Sequence, residues 1–225
     1  MSARLLLVAL VTASVIAIAG SAHALPDGGY IAIGFGGAVA SGDHGVPLKP
    51  SSTAQITVQP GNPIYDEIVR TDFGSGLGAE LRFGYLIAKL IAPEVSACGH
   101  GATSFDDGAG FVSFALRYHF VQHFMDLAER PWDLDVYFGG GYAIGGYHPA
   151  KFDTKGKGWE GWELETGVDF EYQLGERVGL ALDVKFVLPQ YGTYIWNYDD
   201  KIRFDAQSTP STLVVMPTLQ VIFHL

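Results

Sequence analysis

Apolar residues alternate with small or polar residues along most of this chain. The pattern is longest at 213–225, where every second position from Leu213 to Leu225 is apolar. A period of two predicts a β-strand with one apolar face. An apolar strand of this length with a free edge would promote aggregation, so we expect it to pair within the chain.

Seven earlier stretches share this alternation, which predicts eight antiparallel strands in total. The seven cover 30–40, 77–86, 91–98, 111–120, 132–144, 162–172 and 179–188. Pro93 is unfavourable in the third, because proline donates no ladder hydrogen bond. Long loops are predicted at 41–75, 99–108, 145–158 and 189–210, and shorter connections at 87–90, 123–131 and 175–177. An even strand number with alternating long and short connections is typical of an up-and-down barrel in a membrane.

Two kinds of β-barrel, which differ in whether the apolar face points inward or outward, fit this alternation. A soluble barrel of the lipocalin type would place the apolar face inside, whereas an outer-membrane barrel would place it in lipid. Eight strands enclose an interior just wide enough for side chains to fill, and the bulky Leu, Val, Phe, Tyr and Trp face would overfill it. The other face carries Gly, Ala, Ser and few lysines, unlike a water-facing surface. The sequence therefore favours an all-β, eight-stranded, antiparallel transmembrane barrel with long extracellular loops and short periplasmic turns.

The N-terminus predicts export. A short basic head ending at Arg4 precedes an apolar run, and Ala22 and Ala24 supply the small residues of a cleavage site. An uncleaved membrane anchor is the alternative, but it needs about 20 apolar residues and this run is shorter. We expect residues 1–24 to be a signal peptide and residues 25–225 to form the barrel in a bacterial outer membrane.

Composition narrows the function classes. A net charge of −10 argues against a nucleic-acid partner, because such partners require a basic surface. The single cysteine, Cys98, excludes an internal disulfide. Outer-membrane lipids and lipopolysaccharide are the partners that a barrel in this location implies, and the sequence does not identify an extracellular partner.

The polar face of the predicted strands carries ionisable residues, which we expect to form an interior charge network. They are Glu80, Arg82, Glu94, Arg117, His119, Asp135, Glu163, Glu165, Asp169, Glu171, Asp183 and Lys185. Carboxylates outnumber cations here, so some are expected to be protonated, hydrated or bound to an ion. A structural network of ion pairs and water is the favoured interpretation, and a gated proton or ion path is the alternative.

The whole expected mature chain resembles the small outer-membrane barrels of the OmpA/OmpX/OmpW type. Its ending is similar to the sorting signal that the barrel assembly machinery reads in such proteins. The residues that carry this likeness are Leu219, Val221, Phe223 and Leu225, with leucine in place of the usual terminal phenylalanine. The resemblance implies the assembly machinery as a partner.

No motif in the sequence predicts catalysis. Some eight-stranded barrels modify lipids with Ser, His and an acid, but Ser113 and His119 point inward here and no nucleophile–base pair shares a suitable face. We therefore expect no enzyme activity and no catalytic, cofactor-binding or metal-binding residues. The predicted role is structural or surface interaction of the adhesion type. The alternative, implied by the OmpW resemblance, is passage of small hydrophobic molecules or ions.

Overall fold

The computed structural model describes residues 28–41, 48–49, 75–102, 107–120, 131–147, 157–197, 202–206 and 212–225. These residues form the strands β1 (Gly28–Ser41), β2 (Leu48–Lys49), β3 (Gly76–Leu86), β4 (Ile91–Ala102), β5 (Asp107–His119), β6 (Trp132–Tyr147), β7 (Lys157–Gln173), β8 (Val178–Asn197), β9 (Ile202–Ala206) and β10 (Leu213–His224). Among them no helix is long and apolar enough to cross a membrane. The expected signal peptide, 1–24, lies outside the described residues.

Eight of the strands close into a barrel. Neighbours in the order β10-β1-β3-β4-β5-β6-β7-β8 are hydrogen-bonded and antiparallel, and β10 also pairs with β8. At the seam Tyr30 of β1 lies opposite His224 of β10. The prediction of an eight-stranded, antiparallel up-and-down barrel is confirmed, including the pairing of its last strand with its first. The short strands β9 and β2 extend the sheet beyond β8.

The predicted loop over 99–108 is wrong, because β4 continues to Ala102 and β5 begins at Asp107. Glycine in this segment allows the backbones of two neighbouring strands to approach closely. A Cβ on Gly99 would lie 2.8 Å from the carbonyl oxygen of Ala109 on the next strand. Glycine here therefore marks backbone contact within a sheet, which the sequence alone does not distinguish from a turn.

The loops predicted over 145–158 and 189–210 are wrong at their ends. β6 and β7 continue into the first, and β8 runs through the second to Asn197 before β9 pairs back onto it. Aromatic and β-branched residues in 191–196 favour this extended conformation. The expected alternation of long and short connections also fails at β5, where the gap to β4 is only 103–106.

Two pairs of aromatic residues mark the outer surface of β6 and β7. Trp132 lies opposite Tyr172, and ten residues further along Tyr142 lies opposite Trp162. Ten strand residues span about 33 Å, or about 25 Å along the axis of a barrel whose strands tilt by about 40°. That height matches the apolar band of outer-membrane barrels. The outward positions between the pairs are Leu134, Val136, Phe138, Gly140, Leu164, Thr166, Val168 and Phe170.

Gly36 makes the closest approach at the seam between β1 and β10. A Cβ at this position would lie 1.9 Å from the carbonyl oxygen of Pro217 and 2.8 Å from the Cα of Thr218. We expect Gly36→Val to force the two strands apart and to lower the free energy of unfolding by about 1–3 kcal/mol. Urea titration of the barrel folded in lipid vesicles measures this loss.

The neighbouring Gly37 is a matched control for this prediction. A Cβ on Gly37 would meet nothing nearer than the carbonyl oxygen of Gly76 at 3.9 Å. Gly37→Val is expected to have a smaller effect than Gly36→Val. Equal losses for the two variants would contradict the close approach at the seam.

Candidate functional site: the charged interior

The inward positions of the barrel strands form a continuous polar core. The structure places all twelve ionisable residues of the expected charge network there, each at most 4% exposed. They are Glu80, Arg82, Glu94, Arg117, His119, Asp135, Glu163, Glu165, Asp169, Glu171, Asp183 and Lys185. Because side chains alternate across a strand, each strand contributes one inward residue in every two.

Two arginines form the central cluster of this core. Arg117 Nε donates to Glu94 Oε1 at 2.6 Å, and Arg117 Nη1 donates to Asp169 Oδ2 at 2.9 Å. Arg82 Nη2 donates to the same Asp169 oxygen, also at 2.9 Å. The hydroxyl of Tyr30 donates to Glu94 as well. The arginines thus share carboxylates and connect β1, β3, β4, β5 and β7 across the interior.

Lys185 and the carboxylates around it form a second cluster, which lies further along the barrel axis from Gly28 and His224 than the arginine cluster does. Lys185 Nζ lies 2.7 Å from Glu80 Oε1 and 3.0 Å from Glu165 Oε2. Gln220 joins this cluster to the arginines, since its Oε1 accepts from Arg82 at 2.8 Å and its Nε2 donates to Glu80 at 3.1 Å. One amide on the closing strand therefore bridges both cationic clusters.

Tyr137 separates the two clusters on the β6 side. The Arg117 guanidinium lies 4.6 Å from the centre of its ring, and Lys185 Nζ lies 5.6 Å away, both within the range of cation–π attraction. Its hydroxyl donates to Asp183 Oδ1 at 3.1 Å. Gly167 leaves room for this ring, because a Cβ there would lie 2.3 Å from the tyrosine oxygen.

Two histidines lie at the end of the barrel that carries the termini. His119 Nδ1 is 2.7 Å from Asp133 Oδ2 and 2.9 Å from Asp135 Oδ1. His224 Nε2 is 2.9 Å from Glu171 Oε1. A cavity of about 10 Å³ lies between these groups, with room for about one water. It is lined by Tyr30, Arg82, Leu86, Arg117, His119, Asp135, Glu171, Ile222 and His224.

Buried aromatic rings lie towards the opposite end of the described interior. Trp159 is 1% exposed and its ring centre lies 6.3 Å from that of Tyr191. His100 stacks on Phe111 with ring centres 6.4 Å apart. Tyr191 lies in β8, so its expected place in a loop is corrected. Buried aromatic side chains therefore occupy the part of this end that the structure describes.

Several members of the core were not singled out from the sequence. The expected charge network omits Tyr30, near the start of β1, and Gln220 and His224 in β10. Asp133 lies one inward position before Asp135. Each occupies an inward position of its strand, so a strict period of two continued to the strand ends finds all four.

Acidic groups dominate the buried core. Nine carboxylates accompany two arginines and one lysine among the described buried residues. The carboxylates are Glu80, Glu94, Asp133, Asp135, Glu163, Glu165, Asp169, Glu171 and Asp183. Glu163 accepts from Ser113 at 2.6 Å, while its second oxygen is buried without a hydrogen-bond partner. Buried carboxylates in such excess require protons, water or cations for balance.

The two residues weighed as a nucleophile and base have other partners. Ser113 donates to Glu163, and His119 contacts Asp133 and Asp135. Both side chains lie inside the barrel, at 3% exposure. Their contacts suit a structural network, and the geometry assembles no nucleophile–base pair from them.

Comparison with known proteins gives a fold and no sequence family. No family model matches this chain, and no curated protein sequence matches it. The crystal structure of Neisserial surface protein A is similar over 88% of this chain and 97% of its own, with a TM-score of 0.54 and 12% identity.

Two further solved structures are an outer membrane protein and an attachment invasion locus protein. OprG from Pseudomonas aeruginosa matches over 90% of this chain and 100% of its own, with a TM-score of 0.49 and 15% identity. Ail from Yersinia pestis matches over 88% and 99%, with a TM-score of 0.43 and 9% identity. At these identities the likeness concerns the fold alone. This chain has the fold of the small eight-stranded outer-membrane barrels.

Proposed function

We propose that this protein is an integral barrel of a bacterial outer membrane, closed to ions and solutes, with a structural or surface-interaction role and no catalysis. Its outer surface supports residence in lipid. The aromatic pairs Trp132–Tyr172 and Tyr142–Trp162 lie about 25 Å apart along the barrel axis, the height of a membrane band. Side chains such as Phe138, at 63% exposure, lie between them, and lipid is the medium that suits so much exposed apolar surface.

The burial of large interior side chains is the observation that carries the closed state. A side chain that lines an aqueous pore contacts water, whereas the largest interior side chains here are among the least exposed of the chain. Arg82, Arg117, Lys185, Phe111 and Trp159 are each at most 2% exposed. They lie along the described interior from the arginine cluster to the aromatic end, which supports an interior filled by side chains.

The barrel continues on one side beyond its apolar band. Opposite Trp162, β8 reaches Gln190, and it then runs on to Asn197 and pairs with β9. Glu160, two residues beyond Trp162, is partly exposed on this extension. Outside the cell this raised edge would offer a surface to lipopolysaccharide headgroups or to another envelope component. The turns that precede β4 and β8, together with Gly28 at the start of β1 and His224 at the end of β10, would then face the periplasm.

Planar-bilayer recording tests the closed state. The folded barrel is expected to give no stepwise conductance, because buried ion pairs occupy its lumen. Heat-modifiable migration in gels checks that the inserted protein is folded, and intact-cell fractionation checks that it resides in the outer membrane. Steady unitary currents from the folded protein would overturn the proposal and would favour passage of ions or small molecules instead.

A further inference from the structure

His119, Asp133 and Asp135 form a compact set of ligand atoms at the end of the barrel that carries the termini. Their ligand atoms all lie within 4.8 Å of one another, and the three residues are buried. His119 is the last residue of β5, and the two aspartates lie at the start of the paired strand β6, where His119 is opposite Asp135. Strand pairing therefore fixes the geometry of the set.

One polar atom of this set is buried with no partner. Asp135 Oδ1 forms an ion pair with His119 Nδ1 at 2.9 Å, whereas His119 Nε2 on the other side of the ring has no hydrogen-bond partner. Both residues line the cavity of about 10 Å³ at this end. A buried polar atom without a partner is costly, and ion binding is one way in which proteins satisfy it.

The charge around the set favours a cation. Five carboxylates lie in this half of the core, namely Glu94, Asp133, Asp135, Asp169 and Glu171, and the only lysine or arginine side chains that the described residues pair with them are Arg82 and Arg117. Counted as ionised, and before any charge on the histidines, the five carboxylates exceed the two guanidinium groups by three charges. One divalent ion would offset two of them in an environment where unpaired charge is unfavourable.

We propose that His119, Asp133 and Asp135 bind a divalent transition-metal ion such as zinc, through one imidazole nitrogen and two carboxylate oxygens. Imidazole and carboxylate ligands are typical of zinc and its neighbours, and a water in the adjoining cavity would complete a four-coordinate site. Bonds of about 2.0–2.1 Å require the imidazole nitrogen and carboxylate oxygens to move a few tenths of an ångström apart. Asp133 follows Trp132, so the site lies at the level of the aromatic pair Trp132–Tyr172.

The proposal also assigns the ion a structural role. It would connect the end of β5 to the start of β6, the two strands joined through 120–131. Because the ion would bind the folded barrel and not the separated strands, bound zinc is expected to stabilise the barrel against unfolding.

Zinc titration of the metal-stripped, folded barrel tests this site. Calorimetry with ZnCl₂ is expected to show saturable binding of one ion per chain. His119→Gln and Asp133→Asn are expected to weaken the affinity at least tenfold, since each removes a ligand. His100→Gln, at a buried histidine in the aromatic end of the barrel, is the matched control and is expected to retain the wild-type affinity. No saturable binding by the wild type, or an unchanged affinity in His119→Gln, would overturn the site.

A measurement on the wild type keeps the proposal testable if a variant fails to fold. X-ray absorption of the zinc-loaded barrel is expected to show a four-coordinate ion with nitrogen and oxygen ligands and one imidazole. A spectrum of six oxygens without imidazole would assign zinc to a surface site and would refute the proposal. Heat-modifiable migration shows which variants are folded and can be compared.

Discussion

Arg117→Met is expected to lower the free energy of unfolding of the barrel by about 3–5 kcal/mol. The guanidinium contacts Glu94, Asp135 and Asp169 from a position that is 1% exposed. Methionine fills a similar volume but leaves Glu94 and Asp169 with Arg82 as their remaining arginine partner, and Asp135 with no arginine partner, in a medium of low polarity. Urea titration of the barrel in lipid vesicles measures the loss.

Arg177→Met is the matched control for this substitution. Arg177 is exposed in the turn between β7 and β8, where we expect a change within about 0.5 kcal/mol. Combining Arg117→Met with Asp169→Asn is expected to recover part of the loss, because the second change removes an unpaired negative charge. An Arg117→Met barrel as stable as the Arg177→Met barrel would contradict the clustered core.

Val168→Arg is expected to cost about 2–4 kcal/mol of folding free energy in a bilayer. Val168 points outward at 42% exposure and lies between Val136 and Val184 on the neighbouring strands, near the middle of the apolar band. A charge at this depth must be dehydrated or must draw water and headgroups inward. The measurement is the same urea titration in vesicles.

Leu180→Arg is the matched control for Val168→Arg, at a position near the edge of the apolar band. Leu180 lies opposite Tyr172, at the aromatic pair nearest the termini, where an arginine reaches the headgroups and is expected to cost about 0–1 kcal/mol. The difference between the two variants follows from lipid on the outer face. Similar small losses for both would indicate that this face contacts water, and the membrane proposal would fail.

Much of this architecture follows from alternation. Period-two patterns identify every barrel strand and assign each residue to a face, because one buried face tolerates no slip of register. Arg82 and Lys185 could therefore be placed inside the barrel from the sequence. Their partners could not, since alternation gives the face of a residue but not its height along the axis. The height of a residue along the barrel axis depends on the stagger between neighbouring strands. That stagger places Lys185 and Glu80 at similar heights, where their side chains form an ion pair.

Strand ends were the least predictable feature. Gly99 permits backbone contact between β4 and β5, and the same residue type is equally common in turns. The set of His119, Asp133 and Asp135 shows a related limit of prediction from sequence. His119 and Asp135 were recognised as interior residues, but their juxtaposition depends on the pairing of β5 with β6.

The shared carboxylates at the centre of the barrel bear on how the chain reaches its final state. Asp169 of β7 pairs with arginines from β3 and β5, and Gln220 of β10 contacts Arg82 of β3. An open sheet that entered lipid before its edges met would carry these groups unneutralised into hydrocarbon. For a barrel that folds in lipid we therefore expect curling of the sheet and insertion to advance together, so that the circle of strands and its electrostatic balance are completed in one cooperative step.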